Sequence, residues 1–348
     1  MTDNRTLLTF LGIIAAIAAF TALYLATSIF APVACALFIM ALVWPMQSRL
    51  QSFLPQLLAL AIVICITVAV FFIFASIIAW GFGRIGRSLI FEAPRFQLLY
   101  DQAATWLEGH GIVVAGMWAE HFNVRWLVRT LQGVTGRLNT TISFWLVVIV
   151  YVILGLLEVE MIARKIRGLF NAETTRFLID SSALTAAKFR RYMLIRTIMS
   201  IATGAMVWAL AVVSGLQFAT EWGVIAFTLN YIPFIGPFIA TLFPTLYALA
   251  QFESLQAALF VFACLNVIQF VIGSYIEPRV SGSALAMSPF IVLFSVFFWT
   301  YMWGLFGAFI GVPITIAALT FCSQHPSTKW VADLLGGPDN KVMADKAN

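Results

Sequence analysis

The sequence predicts an all-α, polytopic membrane protein with about eight transmembrane spans, two of them broken by Gly and Pro near the C-terminal half. Three observations predict it. The 348 residues are 62% hydrophobic and only 10% charged, with a mean hydropathy of +0.97. A soluble domain carries about a quarter charged residues, and so apolar a surface would not stay dispersed in water. The few charges divide the chain into stretches long enough to cross a hydrocarbon core, which takes about 20 helical residues. Two of those stretches are longer than one span needs, and each has Gly and Pro in its interior.

In chain order, residues 6–48 carry no charge and hold two spans. Leu7–Ala26 exceeds the roughly 7–15 residues of a signal-peptide core, and more apolar sequence follows at once, so it reads as an uncleaved first span. Pro32 breaks or starts the second, which runs to about Trp44. Residues 50–83 are also uncharged and hold a third span, Leu54–Trp80, so 1–80 forms three N-terminal spans.

Residues 81–139 are mixed, with six Arg, four acids, His110 and His121. APRFQLLYDQAATWLEG places Phe96, Leu99, Ala103 and Trp106 or Leu107 at helical spacing, and EHFNVRWLVRTLQGV offers a second such segment. This region reads as amphipathic and extracytoplasmic. Residues 140–160 form the fourth span. Residues 161–196 hold eight basic residues, and the positive-inside rule makes them a cytoplasmic helical region. Counting spans from there puts both termini in the cytoplasm. Four more uncharged windows (197–220, 222–252, 254–276 and 280–324) make a C-terminal bundle over 197–322, followed by a cytoplasmic tail, 323–348.

Composition also excludes function classes. Net charge is +5, but the basic residues cluster between apolar runs as topology signals do, so no nucleic acid is expected. Cys35, Cys65, Cys264 and Cys322 lie in apolar stretches without ligand spacing, and the two histidines lack it too. With no nucleophile–base pair and no phosphate loop, the sequence predicts no enzyme, no metal and no cofactor. The partners it implies are the lipid bilayer and a small-molecule substrate.

The window 222–252 would make a continuous helix of about 46 Å against a core of about 30 Å. Pro233 and Pro237 each lack a backbone donor and Gly236 adds freedom between them. GLFGAFIGVP at 304–313 repeats the situation with Gly304, Gly307, Gly311 and Pro313, and FIGPFIATL (234–242) is echoed imperfectly by FIGVPITIA (309–317). Broken backbone in hydrocarbon must be satisfied by protein or face a water-filled cavity. Discontinuous helices in two related positions point to a transporter's substrate site or moving element. Close helix packing by small residues is the plainer alternative.

Asn230, Tyr231, Ile232, Pro233, Ile235 and Gly236 fit an N-[FY]-I-P-x-[IL]-G signature. Glu277, Pro278, Arg279 and Val280, followed by Gly282, fit E-P-R-[VIL]. Ser288 and Pro289 open the last span, which Gly304, Gly307, Gly311 and Pro313 close. In order and spacing, Phe189–Leu319 resembles the autoinducer-2 exporter family of bacterial membrane transporters. Ser274 and Ala286 depart from that pattern. The resemblance implies an inner-membrane, homo-oligomeric transporter, pentameric in some members, with one part moving against a fixed scaffold. Its implied activities are export of autoinducer-2 or, in some members, sodium or lithium/proton antiport.

The residues themselves leave three readings. Neutral groups (Asn230, Tyr231, Thr241, Thr245, Asn266, Gln269, Ser274), with carbonyls freed around Pro233 and Pro237, suit a small neutral polar metabolite. Asn266 and Gln269 stand three apart on one helix face. A cation/proton antiporter would need a titratable carboxylate, for which Glu277 is the candidate and Arg279 the group that would hold it ionised. A non-transporting scaffold would use the breaks for assembly alone.

Overall fold

The computed structural model describes residues 2–91, 138–281 and 287–337, together with positions 95, 105, 108 and 109. Apart from those four positions, the expected amphipathic helices at 93–109 and 120–134 lie outside the described residues. So do His110, His121, Gly282, Ala286 and the tail from 338.

The described residues form α1 (Thr2–Leu25), α2 (Thr27–Gln51), α3 (Gln56–Phe91), α4 (Leu138–Leu169), α5 (Ala172–Val213), α6 (Ala219–Leu229), α7 (Ile235–Phe252) and α8 (Leu255–Gln269). A π-helical stretch, Phe270–Ile276, leads from α8 into α9 (Glu277–Ser281), and α10 (Pro289–Gln324) and α11 (Lys329–Leu335) follow. Among them, seven helical segments are long and apolar enough to cross a membrane, and Phe10–Leu25 is a shorter apolar one. Large apolar side chains such as Phe10, Phe72, Phe260 and Phe290 stand exposed on these helices, as a hydrocarbon solvent requires and water would not allow.

Several boundaries differ from the sequence reading for local reasons. α2 begins at Thr27 and runs through Pro32 and Pro45. Pro45 cannot donate to the carbonyl of Ala41 four residues back; Arg190 Nη1 donates to that oxygen instead, at 3.1 Å. The basic segment and the fifth span are one 42-residue helix, α5, about 63 Å long. It ends at Gly215, whose φ of +70° makes the left-handed cap while Leu216 N–H bonds back to Ala211 at 2.8 Å. Ser254 and Ser288 cap α8 and α10 through their hydroxyls. Glu277, Pro278 and Arg279 lie in the helical α9.

The chain divides into two compact units. Unit 1 holds α1, α2, α3 up to Cys65, α4 from Phe144, α5 up to Tyr192, α10 and α11. Unit 2 holds α3 from Ile66, α5 from Met193, and α6 to α9. Each unit contains one of the two broken spans.

Both broken spans are hairpins. In unit 2, α6 and α7 turn back on each other. Trp222 and Tyr247 are 5.8 Å apart between ring centroids, and the Tyr247 hydroxyl reaches Gln217 Oε1 at 3.2 Å. In unit 1, α10 is interrupted at Trp303 (φ −132°, ψ 17°) and Gly304 (φ 62°, ψ −142°). Ser295 Oγ and Thr315 Oγ1 lie 2.7 Å apart, where a straight helix would separate these residues by about 30 Å. Its arms are therefore antiparallel, 289–302 and 305–324. In each hairpin the first arm is too short to cross a core of about 30 Å, and the second nearly or fully spans it.

Candidate functional site

The reversal in unit 2 occupies residues 230–234. Asn230 caps α6, and Phe234 turns the chain with φ 63° and ψ −54°. Pro233 lies inside the reversal. Pro237 falls in the first turn of α7, where a missing N–H costs no intrahelical bond. A Cβ on Gly236 would overlap the carbonyl oxygen of Leu229, so only glycine lets the two arms come this close.

The expectation of freed carbonyls is largely corrected here. Leu229 O accepts from Ile232 N–H at 2.9 Å, Ile232 O from Gly236 N–H at 3.0 Å and Pro233 O from Ile235 N–H at 2.7 Å. Pro237 O accepts from the Thr241 hydroxyl at 2.9 Å. The reversal satisfies these backbone groups itself, so its polarity is carried by side chains.

Those side chains meet α5. Asn230, 5% exposed, donates through Nδ2 to Ser200 Oγ at 3.2 Å. The Tyr231 hydroxyl donates to Thr197 Oγ1 at 3.0 Å, and its ring packs edge-on against Phe74 and Phe227. The hydroxyls of Thr203 and Thr228 and the Gln269 Nε2 are buried in the same unit without a hydrogen-bond partner among the described residues. Buried polar atoms of this kind cost free energy unless water or a ligand completes them. Gly204 and Gly223 abut through backbone, which brings α6 close enough to α5 for Asn230 to reach across.

Glu277 does not pair with Arg279. Its carboxylate accepts from Arg196 Nη1, at 2.7 Å to Oε1 and 2.9 Å to Oε2, with the two side chains 13% and 8% exposed. Arg279 instead lies over the Tyr275 ring at 3.4 Å from its centroid, a cation–π stack on an exposed surface. One reason lies in the backbone: Glu277 and Arg279 are two apart in a helix and face different ways. The other acids of unit 2 that sequence placed at span ends are also paired, Glu221 with Arg84 at 2.7 Å and Glu253 with Arg95 at 2.6 Å.

Asn266 is exposed and donates to its own helix at Phe262 O, 2.8 Å. Its side chain is thus spent locally, while Gln269 turns its amide inward. Arg196, Thr197 and Ser200 were missed by the sequence reading. The signal for Arg196 and Ser200 was their 4–3 helical step with Thr203 in an apolar run.

The break in unit 1 has a different character. A Cβ on Gly307 would overlap the Trp299 carbonyl oxygen, and one on Gly311 would come within 3.0 Å of Trp299 Cβ and 3.1 Å of Ser295 O. By its place after the reversal, Gly307 rather than Gly311 is the counterpart of Gly236. The echo then reads Gly-Pro-Phe-Ile against Gly-Ala-Phe-Ile, one turn from the alignment the sequence suggested. Its tip is fastened to α1 and α2. Trp303 Nε1 donates to Leu23 O at 3.2 Å, Thr27 Oγ1 donates to Met302 O at 3.3 Å, and Tyr24 stacks on Tyr301. Pro313 is buried in the second arm.

Comparison with known proteins shows the family. The family described as AI-2E family transporter matches residues 13–326. The chain is 28% identical over 320 residues to the AI-2 transport protein TqsA of Escherichia coli (strain K12), covering 89% of this chain and 90% of that one. A Haemophilus influenzae relative is 26% identical over 94% of this chain and 96% of its own. YhhT of Escherichia coli (strain K12) is 30% identical over 59% and 57%. The last two are named only as transport proteins, with no solute given.

Proposed function

We propose that this chain, which belongs to the AI-2E transporter family, carries a small, neutral, polyhydroxylated metabolite of the autoinducer-2 kind outward across the bacterial inner membrane. The α6–α7 tip, with Asn230, Tyr231, Thr197 and Ser200, forms part of the path. One observation carries the neutral-solute reading. Each carboxylate described between 197 and 281 is matched by an arginine, while the tip offers amide and hydroxyl groups. An array of neutral donors and acceptors suits a solute that brings hydroxyls and no charge. The name of the Escherichia coli relative supports the same solute class.

Cation/proton antiport through Glu277 is the less favoured reading. It requires that carboxylate to leave Arg196, and separating a buried pair costs about 3–5 kcal/mol. In the preferred mechanism Asn230 and Tyr231 exchange their partners on α5 for the solute's hydroxyls. Gly304, Gly307, Gly311 and Pro313 then belong to an anchored hinge, and Arg279 to the surface. We further propose a homo-oligomer, pentameric by the family resemblance, with both termini cytoplasmic. Native mass spectrometry and terminal-tag accessibility test these two points.

The deciding experiment is flux in proteoliposomes. Autoinducer-2 and size-matched polyols should cross without a proton gradient, and Asn230→Ala should abolish the flux while the protein still elutes as a folded oligomer. Flux that persists in Asn230→Ala rejects this path. Flux that needs a proton gradient, or exchange of sodium or lithium for protons, returns the role to Glu277.

A further inference from the structure

Unit 1 contains a polar stripe that the transport reading leaves unused. Ser181, Thr185 and Lys188 follow one another at steps of four and three on α5, and so share one helix face. Ser181 is fully buried and Thr185 is 7% exposed. Neither hydroxyl has a hydrogen-bond partner among the described residues. Hydroxyls in an apolar helix ordinarily donate to the carbonyl one turn back, as Ser182, Thr241, Thr245, Thr315 and Thr320 do in this chain. Ser181 and Thr185 depart from that habit and keep their donors unspent.

The third member is a cation. Lys188 is half-buried, and its Nζ contacts Thr320 Oγ1 on the second arm of α10 at 3.1 Å. The ion pairs among the described residues are Arg84–Glu221, Arg95–Glu253 and Arg196–Glu277, so none neutralises Lys188. Arg190 is engaged with Ala41 O. His325 lies against Phe177, and Asp180 is exposed on a different face of α5 from Ser181. Among the described residues the stripe therefore presents hydroxyl donors and one positive charge with no ion-pair partner, the reverse of unit 2, where Glu277 neutralises Arg196.

We propose that Ser181, Thr185 and Lys188 of α5, with Thr320 of α10, form a binding site for a phosphate-like oxyanion. Lys188, held by Thr320 Oγ1, supplies the charge, and the Ser181 and Thr185 hydroxyls donate to the remaining oxygens. A cation drawn into an apolar helix packing is costly until an anion accompanies it, and charge-assisted hydrogen bonds to an oxyanion are the strong kind. The oxyanion comes either from a free ion or from a phospholipid headgroup, and the two sources can be told apart.

The test uses the full chain in nanodiscs of phosphatidylcholine, with its unfolding followed by tryptophan fluorescence. Inorganic phosphate is titrated at constant ionic strength against chloride. A ligand that binds the folded state raises Tm. Tm should rise and saturate in the wild type, the response should vanish in Lys188→Gln, and Lys188→Arg should keep it. Ser181→Ala or Thr185→Val should weaken the apparent affinity roughly tenfold. In a second arm, phosphatidylglycerol is mixed into the discs without phosphate. A Lys188-dependent rise only there identifies a headgroup as the source. The proposal is overturned if neither phosphate nor phosphatidylglycerol raises Tm, or if Lys188→Gln keeps the whole response. Should Lys188→Gln fail to fold, the hydroxyl variants decide. Unchanged affinity in both of them overturns the site as well.

Discussion

The two hairpins share a geometry and differ in their chemistry. Each has a short first arm, a reversal, and a glycine on the second arm that leaves no room for a Cβ: Gly236 against Leu229 and Gly307 against Trp299. At the α6–α7 tip the side chains are an amide and a phenol that bond hydroxyls on α5. At the α10 tip they are Trp303 and Tyr301, fastened to Leu23 and Tyr24. The glycine permits the reversal, and the residues before it decide its use. A polar tip can exchange partners with a solute; an aromatic tip bonded to backbone holds its place.

The largest expected effect tests the shared part. Gly236→Ala and Gly307→Ala should each destabilise by about 3 kcal/mol or more, because the added methyl meets backbone rather than a flexible side chain. Thermal unfolding in detergent reads this, and a well-behaved Gly236→Ala beside a crippled Gly307→Ala would end the equivalence. The next effect belongs to unit 2 alone. Arg196→Met and Glu277→Gln should each cost about 3 kcal/mol, and the double variant much less than their sum, since each single change strands a buried charge or polar group.

Smaller changes separate the two tips. Asn230→Ala should lose about 1–2 kcal/mol by leaving Ser200 without its donor, and transport with it. Ser295→Ala, which breaks the bond to Thr315, should cost a similar amount while flux stays near wild type. Equal transport losses in the two variants would mean that both hairpins serve the path. The smallest effect is Trp303→Phe, about 1 kcal/mol from the missing bond to Leu23, visible as a lower Tm with unchanged solute selectivity.

The charge-free windows made most spans legible, because hydrocarbon penalises charge wherever it falls. Pro233, Gly236 and Gly304 marked both interruptions. What the windows could not show was that each interruption is a full reversal, since that depends on which carbonyl a glycine covers after the chain has turned. Arg196 was hidden among basic residues that look like a topology signal. Its partner, Glu277, lies 81 positions away, beyond any local pattern. Asn266 and Gln269 share a helical spacing, yet one bonds its own helix and the other buries its amide nitrogen. Spacing gives a face, and packing decides whether that face has a partner.

The bond from Arg190 to Ala41 has a consequence for how this chain can change by descent. Pro45 leaves that carbonyl without a donor, and the arginine supplies one from another helix. The two positions therefore behave as a single heritable character. A descendant that keeps the proline and loses the arginine must find another donor or bear an unsatisfied oxygen. One that replaces the proline with a residue bearing an N–H releases position 190 to drift. Paired substitution at 45 and 190 across descendants would be the historical trace of that one hydrogen bond.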